Sequence, residues 1–95
     1  MDNSTKEVLL IMQEECAEVT QAISKVFRFG IDSYHPSTGL SNRESLVNEL
    51  GDLLAMVDLI LEDTTLNVTR EELENAKQSK FQKLTKWSSL RLLGD

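Results

Sequence analysis

Leu46-Val47-Asn48-Glu49-Leu50-Gly51-Asp52-Leu53-Leu54-Ala55-Met56-Val57-Asp58-Leu59-Ile60-Leu61 is the stretch from which the fold can be read. Its apolar residues recur at helical spacing over more than four turns, and no proline interrupts them. Leu46, Val47, Leu50, Leu53, Leu54, Val57, Ile60 and Leu61 cover a wide face, with Met56 and Leu59 beyond its edge. A helix apolar around most of its circumference needs neighbours on more than one side. This segment is therefore the central helix of an all-α protein, and the rest of the chain has to supply its partners.

The start of that helix is marked by Ser41-Asn42-Arg43-Glu44, an S/T-x-x-E capping box. In such a box the hydroxyl and the carboxylate satisfy free N–H groups at a helix start. The same punctuation recurs at Ser4-Thr5-Lys6-Glu7 and at Thr69-Arg70-Glu71-Glu72. Three helices are predicted: Thr5 to Phe29, closed by Gly30; Asn42 to Asp63; and Arg70 to Leu90. The tail Arg91 to Asp95 receives no assignment. One proline and four glycines in 95 residues leave little material for the many turns of a β-protein. The prediction is a single domain over residues 1–95, an antiparallel bundle of three main helices. Three helices leave the central one under-covered, so the bundle is expected to be completed by dimerisation, a dimer being preferred to a tetramer.

A net charge of −6 and a pI near 4.7 disfavour binding to a nucleic-acid backbone. Cys16 is the only cysteine, which excludes an intramolecular disulfide and a Cys-rich zinc site; it is expected to pack as a small apolar residue. No apolar run approaches the roughly 20 residues needed to span a bilayer. No positively charged segment leads into a long apolar run near residue 1, so no membrane association or secretory signal is expected, and the cytoplasm is the expected location.

The carboxylates of the first two helices sit where apolar residues belong. Val8, Ile11, Val19, Ala22 and Val26 form a narrow stripe, and Glu15 lies at its centre with Glu18 at its edge. On the second helix Glu49 falls between Ile60 and Met56, and Asp52 lies beside Met56. A buried carboxylate without a partner is costly. Two readings of the residues relieve that cost: a shared divalent cation such as Mg²⁺, or ion pairs with Lys25, Arg28, Lys77, Lys80 or Lys83. A ferritin-like di-iron centre is disfavoured, since no Glu-x-x-His occurs and the one histidine, His35, lies in a loop.

Glu14-Glu15-Cys16-Ala17-Glu18, followed by Asn48-Glu49-Leu50-Gly51-Asp52-Leu53-Leu54, resembles the E-E-x-x-E and E-L-G-D-L-L signature of MazG-type nucleoside triphosphate pyrophosphohydrolases. The resemblance covers helices one and two well and helix three more loosely. It implies a Mg²⁺-dependent enzyme, with Mn²⁺ a possible substitute, that converts a nucleoside or deoxynucleoside triphosphate and water to the monophosphate and pyrophosphate. It also implies that Glu15, Glu18, Glu49 and Asp52 hold the metal and carry catalysis, one of them orienting or deprotonating the water. Glu14 would stand one step outside the cluster. Lys25 and Arg28, about two and three turns beyond Glu18, are candidates to bind phosphate. Members of the family often carry N-x-K-F-x-x-R-F on the third helix. Here Lys80-Phe81 match, whereas Gln78 and Leu84 replace the Asn and Arg, so only Lys80 is carried over as a substrate-binding candidate. Tyr34, His35 and Trp87 are the aromatic candidates for stacking on a base. Asp58 is a candidate fifth acid or the partner of a lysine, and its angular distance from Glu49 favours the second role. The competing functions are a catalytically silent nucleotide-binding relative and a helical interaction module with ion-paired acids.

Overall fold

A computed structural model describes residues 1–90 and contains three α-helices: α1 (Asn3–Phe29), α2 (Asn42–Glu62) and α3 (Arg70–Trp87). The tail from Arg91 lies outside the described residues. The all-α class, the helix count and the order are those expected.

Three boundaries differ from expectation, the smallest being the end of α2 at Glu62, one residue before Asp63. α1 starts at Asn3, not at Thr5, because Asp2 takes the N-cap role in place of Ser4; its carboxylate accepts from the Thr5 N–H at 2.7 Å. Asp and Ser are equally good N-caps, and the earlier start adds a half-turn of helix. The Thr5 amide also draws the Asp2 carboxyl below its ordinary value. At the other end, α3 stops at Trp87 rather than Leu90, with Ser88 returning to extended backbone. Of the other two boxes, that at Thr69 forms in full, whereas at Ser41 only the hydroxyl half forms and the Glu44 carboxylate accepts from the Ser41 hydroxyl. Ser41 accepts from Glu44 N–H at 3.1 Å, and Thr69 and Glu72 satisfy each other's backbone N–H groups. Gly30 ends α1 at φ 92°, in the region where a side chain is disfavoured, while its N–H still reaches the Val26 carbonyl.

α1 and α2 run antiparallel and pack along their lengths, and each end of the pair is clasped by a polar side chain. At one end Asn42, buried, donates from Nδ2 to the carbonyl of Gly30 at 2.8 Å and of Lys25 at 3.4 Å. The Gly30 carbonyl is one that the helix terminus leaves without an intrahelical partner, and the longer contact to Lys25 lies one turn inside the helix. At the other end Thr5, only 1 % exposed, donates its hydroxyl to Asp63 at 2.8 Å. The second Asp63 oxygen accepts from the Leu66 N–H at 2.9 Å, which also fixes the turn out of α2. Asp63→Ala leaves the Thr5 hydroxyl buried and unpaired. It is expected to cost about 2 kcal/mol of unfolding free energy in a denaturant titration; Thr5→Val, which removes the hydroxyl itself, should cost less.

The connection between α1 and α2 is folded on itself. Tyr34 and Ser41 form an isolated antiparallel bridge, His35 N–H donates to the Leu40 carbonyl at 2.8 Å, and Gly39 N–H to that of His35 at 2.9 Å. Asn42 and Arg43 N–H groups reach back to the carbonyls of Ser33 and Ile31, both at 2.9 Å.

α3 contributes little packing within the chain. Its first two turns face α2 across an open cleft lined by Leu54, Val57, Leu61, Arg70, Leu73 and Lys77, among others. The short turn 63–69 sets that departure, with Asn67 in the left-handed region at φ 54°. The molecule is consequently broad and thin, 42 × 39 × 17 Å. Among the described residues only Ala22 and Met56 are fully buried hydrophobic side chains. Phe27, Leu54, Val47 and Leu50 are 86, 64, 51 and 42 % exposed. Cys16, expected to pack between helices, is exposed as well.

Candidate active site

The middle of the α1–α2 pair holds the carboxylates. α2 turns Asn42, Glu49, Met56 and Ile60 toward α1, so Glu49 occupies the centre of a packing face; α1 turns Val8, Glu15, Val19, Ala22 and Val26 toward α2. Glu15 therefore meets Glu49, with Asp52 one turn further on. One carboxylate oxygen from each of Glu15, Glu49 and Asp52 lies within 4.8 Å of the others. Glu15 and Glu49 are half-buried and Asp52 is exposed, so the cluster opens to solvent on the Asp52 side. Glu18 is exposed and stands outside this group of three, near enough to add to the negative potential at Glu15. Glu14 stands further out on the same helix and acts the same way.

Glu15 carries the strain of the arrangement. Its Oε2 is buried and has no hydrogen-bond partner. Its carboxyl is pushed above the ordinary value of 4.5, first by burial and then by the negative charges of Asp52, Glu49, Glu18 and Glu14. No basic residue relieves it: among the described residues the ion pair present is Lys77–Glu74, 3.0 Å apart on α3. A hydrogen bond from Gln78, and after it that pair, draws Glu74 below its ordinary value. The ion-pair reading of the cluster thus lacks its cations. A set of hard carboxylate oxygens with an unpartnered atom among them fits a divalent cation, and Glu15, Glu49 and Asp52 are the residues that could hold it.

The raised carboxyl makes a pH prediction for the metal-free protein. A group whose pKa is higher folded than unfolded stabilises the fold at low pH, and that stability is lost as pH rises from its ordinary value through the folded one. In EDTA, Glu15→Gln should therefore melt increasingly above wild type as pH rises from 4 to 7. Parallel melting curves across that range would contradict the assignment.

The basic candidates are placed differently from one another. On α1, Glu15, Glu18, Lys25 and Phe29 lie to one side of the Val8–Val19–Val26 line; on α2, Asp52 lies to the corresponding side of Glu49 and Ile60. Because the helices are antiparallel, both displacements point the same way. Lys25 therefore shares the open flank of the cluster, about 15 Å along α1 from Glu15. Arg28 instead lies over the Phe29 ring, 4.9 Å from its centre. α3 leaves from the opposite flank of α2, the one carrying Leu54, Val57 and Leu61, so Lys80 is not brought to the carboxylates. Asp58 lines that second cleft with Arg70 and Lys77, away from Glu49. Trp87 lies at the end of α3, with Lys86 5.1 Å from its ring centre. Asn42 was legible only as a helix-start residue. Its role in closing α1 depends on contacts 12 and 17 residues away, for which the sequence carries no signal.

No helix among the described residues is long and apolar enough to cross a membrane. No curated protein and no solved structure is significantly similar to the chain. The family model described as the MazG nucleotide pyrophosphohydrolase domain matches residues 3–86, which include all three helices but for the last residue of α3 and every carboxylate of the cluster. The chain therefore belongs to the MazG nucleotide pyrophosphohydrolase family, and it is a hydrolase of that type.

Proposed function

We propose that the protein hydrolyses a nucleoside or deoxynucleoside triphosphate to the monophosphate and pyrophosphate, with Mg²⁺ held by Glu15, Glu18, Glu49 and Asp52. The observation that carries this reading is the buried, unpartnered Glu15 oxygen inside a three-carboxylate cluster that no basic residue pairs with among the described residues. A bound divalent cation would offset the repulsion among these acids and the charge on the phosphates. In the reaction water attacks the α-phosphorus, the bond to the α–β bridging oxygen breaks, and pyrophosphate leaves. One carboxylate of the four orients the water or takes its proton. Glu18, outside the tight group of three, enters from the mouth of the cluster. Lys25, on the same flank, neutralises the phosphate chain; Arg28 supports it through Phe29. Lys80 would take part only across a contact between two copies of the chain.

The test is pyrophosphate release from a panel of nucleoside and deoxynucleoside triphosphates, with Mg²⁺ or Mn²⁺ and with EDTA controls. Metal-dependent release is expected, together with a rise in melting temperature on adding the metal alone. Folded protein that is silent across the panel, yet stabilised by nucleotide, would make it a non-hydrolysing relative. No stabilisation by metal or nucleotide would leave a helical interaction module.

The working unit in this reading is a homodimer. The exposed apolar side chains Ile23, Phe27, Leu50 and Leu54 lie on the flank of the pair opposite the carboxylate mouth. Gly51 adds to this: nothing in the protomer lies within 4 Å of where its Cβ would stand, so internal packing does not require a glycine there. A second copy seated on that flank would cover the apolar face and leave the carboxylates open to substrate.

A further inference from the structure

Asn42, Glu49 and Met56 recur at seven-residue intervals on the α2 face that meets α1, and Asp63, at the C-cap, continues their line. The line begins and ends in a polar clasp, with a carboxylate of the cluster between the two. Asn42 and Asp63 stand about 31 Å apart along the axis, and Glu49 about 10 Å from the first of them. The apolar contact between the helices is thin, Ala22 and Met56 being the fully buried hydrophobic side chains among the described residues. Apolar contact is also non-directional, so it resists sliding of one helix along the other only weakly. The clasps are directional. Thr5 and Asn42, both buried, each donate to an oxygen at 2.8 Å across the helix pair. We propose that these two clasps are positioning devices for the metal site, holding α1 and α2 in the register that gathers Glu15, Glu49 and Asp52 before a divalent cation arrives. The inference rests on the metal-binding reading of the carboxylates.

The need for such devices follows from the cluster itself. Glu15 belongs to α1, Glu49 and Asp52 to α2, and their oxygens lie within 4.8 Å of one another. Like charges this close repel, and here the repulsion acts across the helix pair, pushing the two helices apart or along each other. A slide of one turn, about 5.4 Å, would carry Glu15 past Glu49. One clasp alone would leave the helices free to pivot about it; two at opposite ends remove the pivot as well. Neither clasp touches the carboxylates. Thr5 stands ten residues before Glu15, about 15 Å away along α1, so its effect on a metal ion passes through helix register alone. Stability by itself would be served nearly as well by an apolar pair of the same shape. What the hydrogen bonds add is a fixed alignment.

The experiment compares Thr5→Val and Thr5→Ser with wild type, and Asn42→Ala for the other end. Mn²⁺ affinity is read from the EPR signal of the free ion, well below every melting temperature. Glu49→Gln gives the binding elsewhere on the acidic surface, which is subtracted. Thr5→Val is expected to weaken Mn²⁺ binding about fivefold, the net worth of one buried hydrogen bond that holds the binding-competent arrangement. Thr5→Ser, which keeps the hydroxyl, should bind as wild type does, and Asn42→Ala should bind at least as weakly as Thr5→Val. Thr5→Ala repeats the comparison with a smaller side chain, should the first variant disturb the start of α1. A purely structural clasp gives a different pattern, a lower melting temperature in EDTA with Mn²⁺ affinity unchanged in the folded variant. That pattern overturns the proposal for whichever clasp shows it. Wild type that takes up no more Mn²⁺ than Glu49→Gln defeats the metal reading of the carboxylates, and the proposal with it. Wild type that binds, beside a Thr5→Val protein that binds equally, defeats the positioning role alone.

Discussion

Glu49→Gln is expected to reduce metal-dependent pyrophosphate release by at least about 10²–10³-fold, the loss typical when one charge-stabilising group is removed from a preorganised site. The substitution is nearly isosteric, and Glu49 makes no hydrogen bond among the described residues that the amide would break, so helicity should be retained. The effect on stability should have the opposite sign. In EDTA the variant should melt above wild type, because one of the charges pressing on Glu15 is gone; in saturating Mg²⁺ the order should reverse, since wild type gains the binding free energy and the variant gains much less. Activity and calorimetry together distinguish a metal-binding carboxylate from a structural one. Full activity in the folded variant would defeat the catalytic assignment.

The second large effect is expected from charge placed on the apolar flank. Leu50 and Leu54, one turn apart on α2 and 42 and 64 % exposed, lie where a second copy is proposed to sit. Leu50→Glu with Leu54→Glu should convert the assembly to monomer, read by light scattering as a fall from twice the 10.7 kDa chain mass. Buried unpaired charge at an interface is not tolerated, and a protomer with so small a core should lose cooperative unfolding when separated. The single variant Leu54→Lys should shift the association equilibrium by at least tenfold while retaining helicity at high concentration. Wild-type protein that stays monomeric at every concentration would remove the dimer.

Much of this was legible in the residues. The capping motifs at Ser41 and Thr69 mark the starts of α2 and α3, because local side-chain chemistry decides a helix start. Glu15 within a stripe of valines foretold the carboxylate meeting point, since helical periodicity alone fixes which side chains share a face. Local signals failed where the deciding partner was distant. Thr5 reads as part of a capping box with Ser4, yet its hydroxyl belongs to Asp63, 58 residues away. The direction of α3 was equally hidden, because a short turn shows that two helices are neighbours without fixing the angle between them. The folded form of the 31–40 connection needed its one bridge, and nothing in the spacing of Tyr34 and Ser41 announces it.

The two polar clasps have a consequence for how such an enzyme can diversify. With α1 and α2 pinned at both ends by Asn42 and by Thr5 with Asp63, the alignment of Glu15 with Glu49 does not depend on the connecting loop. Gly39, near the tip of that loop, has open space around it. Gly39 itself, at φ 72°, would be strained by a side chain, but residues beside it could be exchanged or inserted without displacing a carboxylate. The hydrolytic machinery and the connecting loop can therefore drift independently, so that the loop can change without rebuilding the reaction.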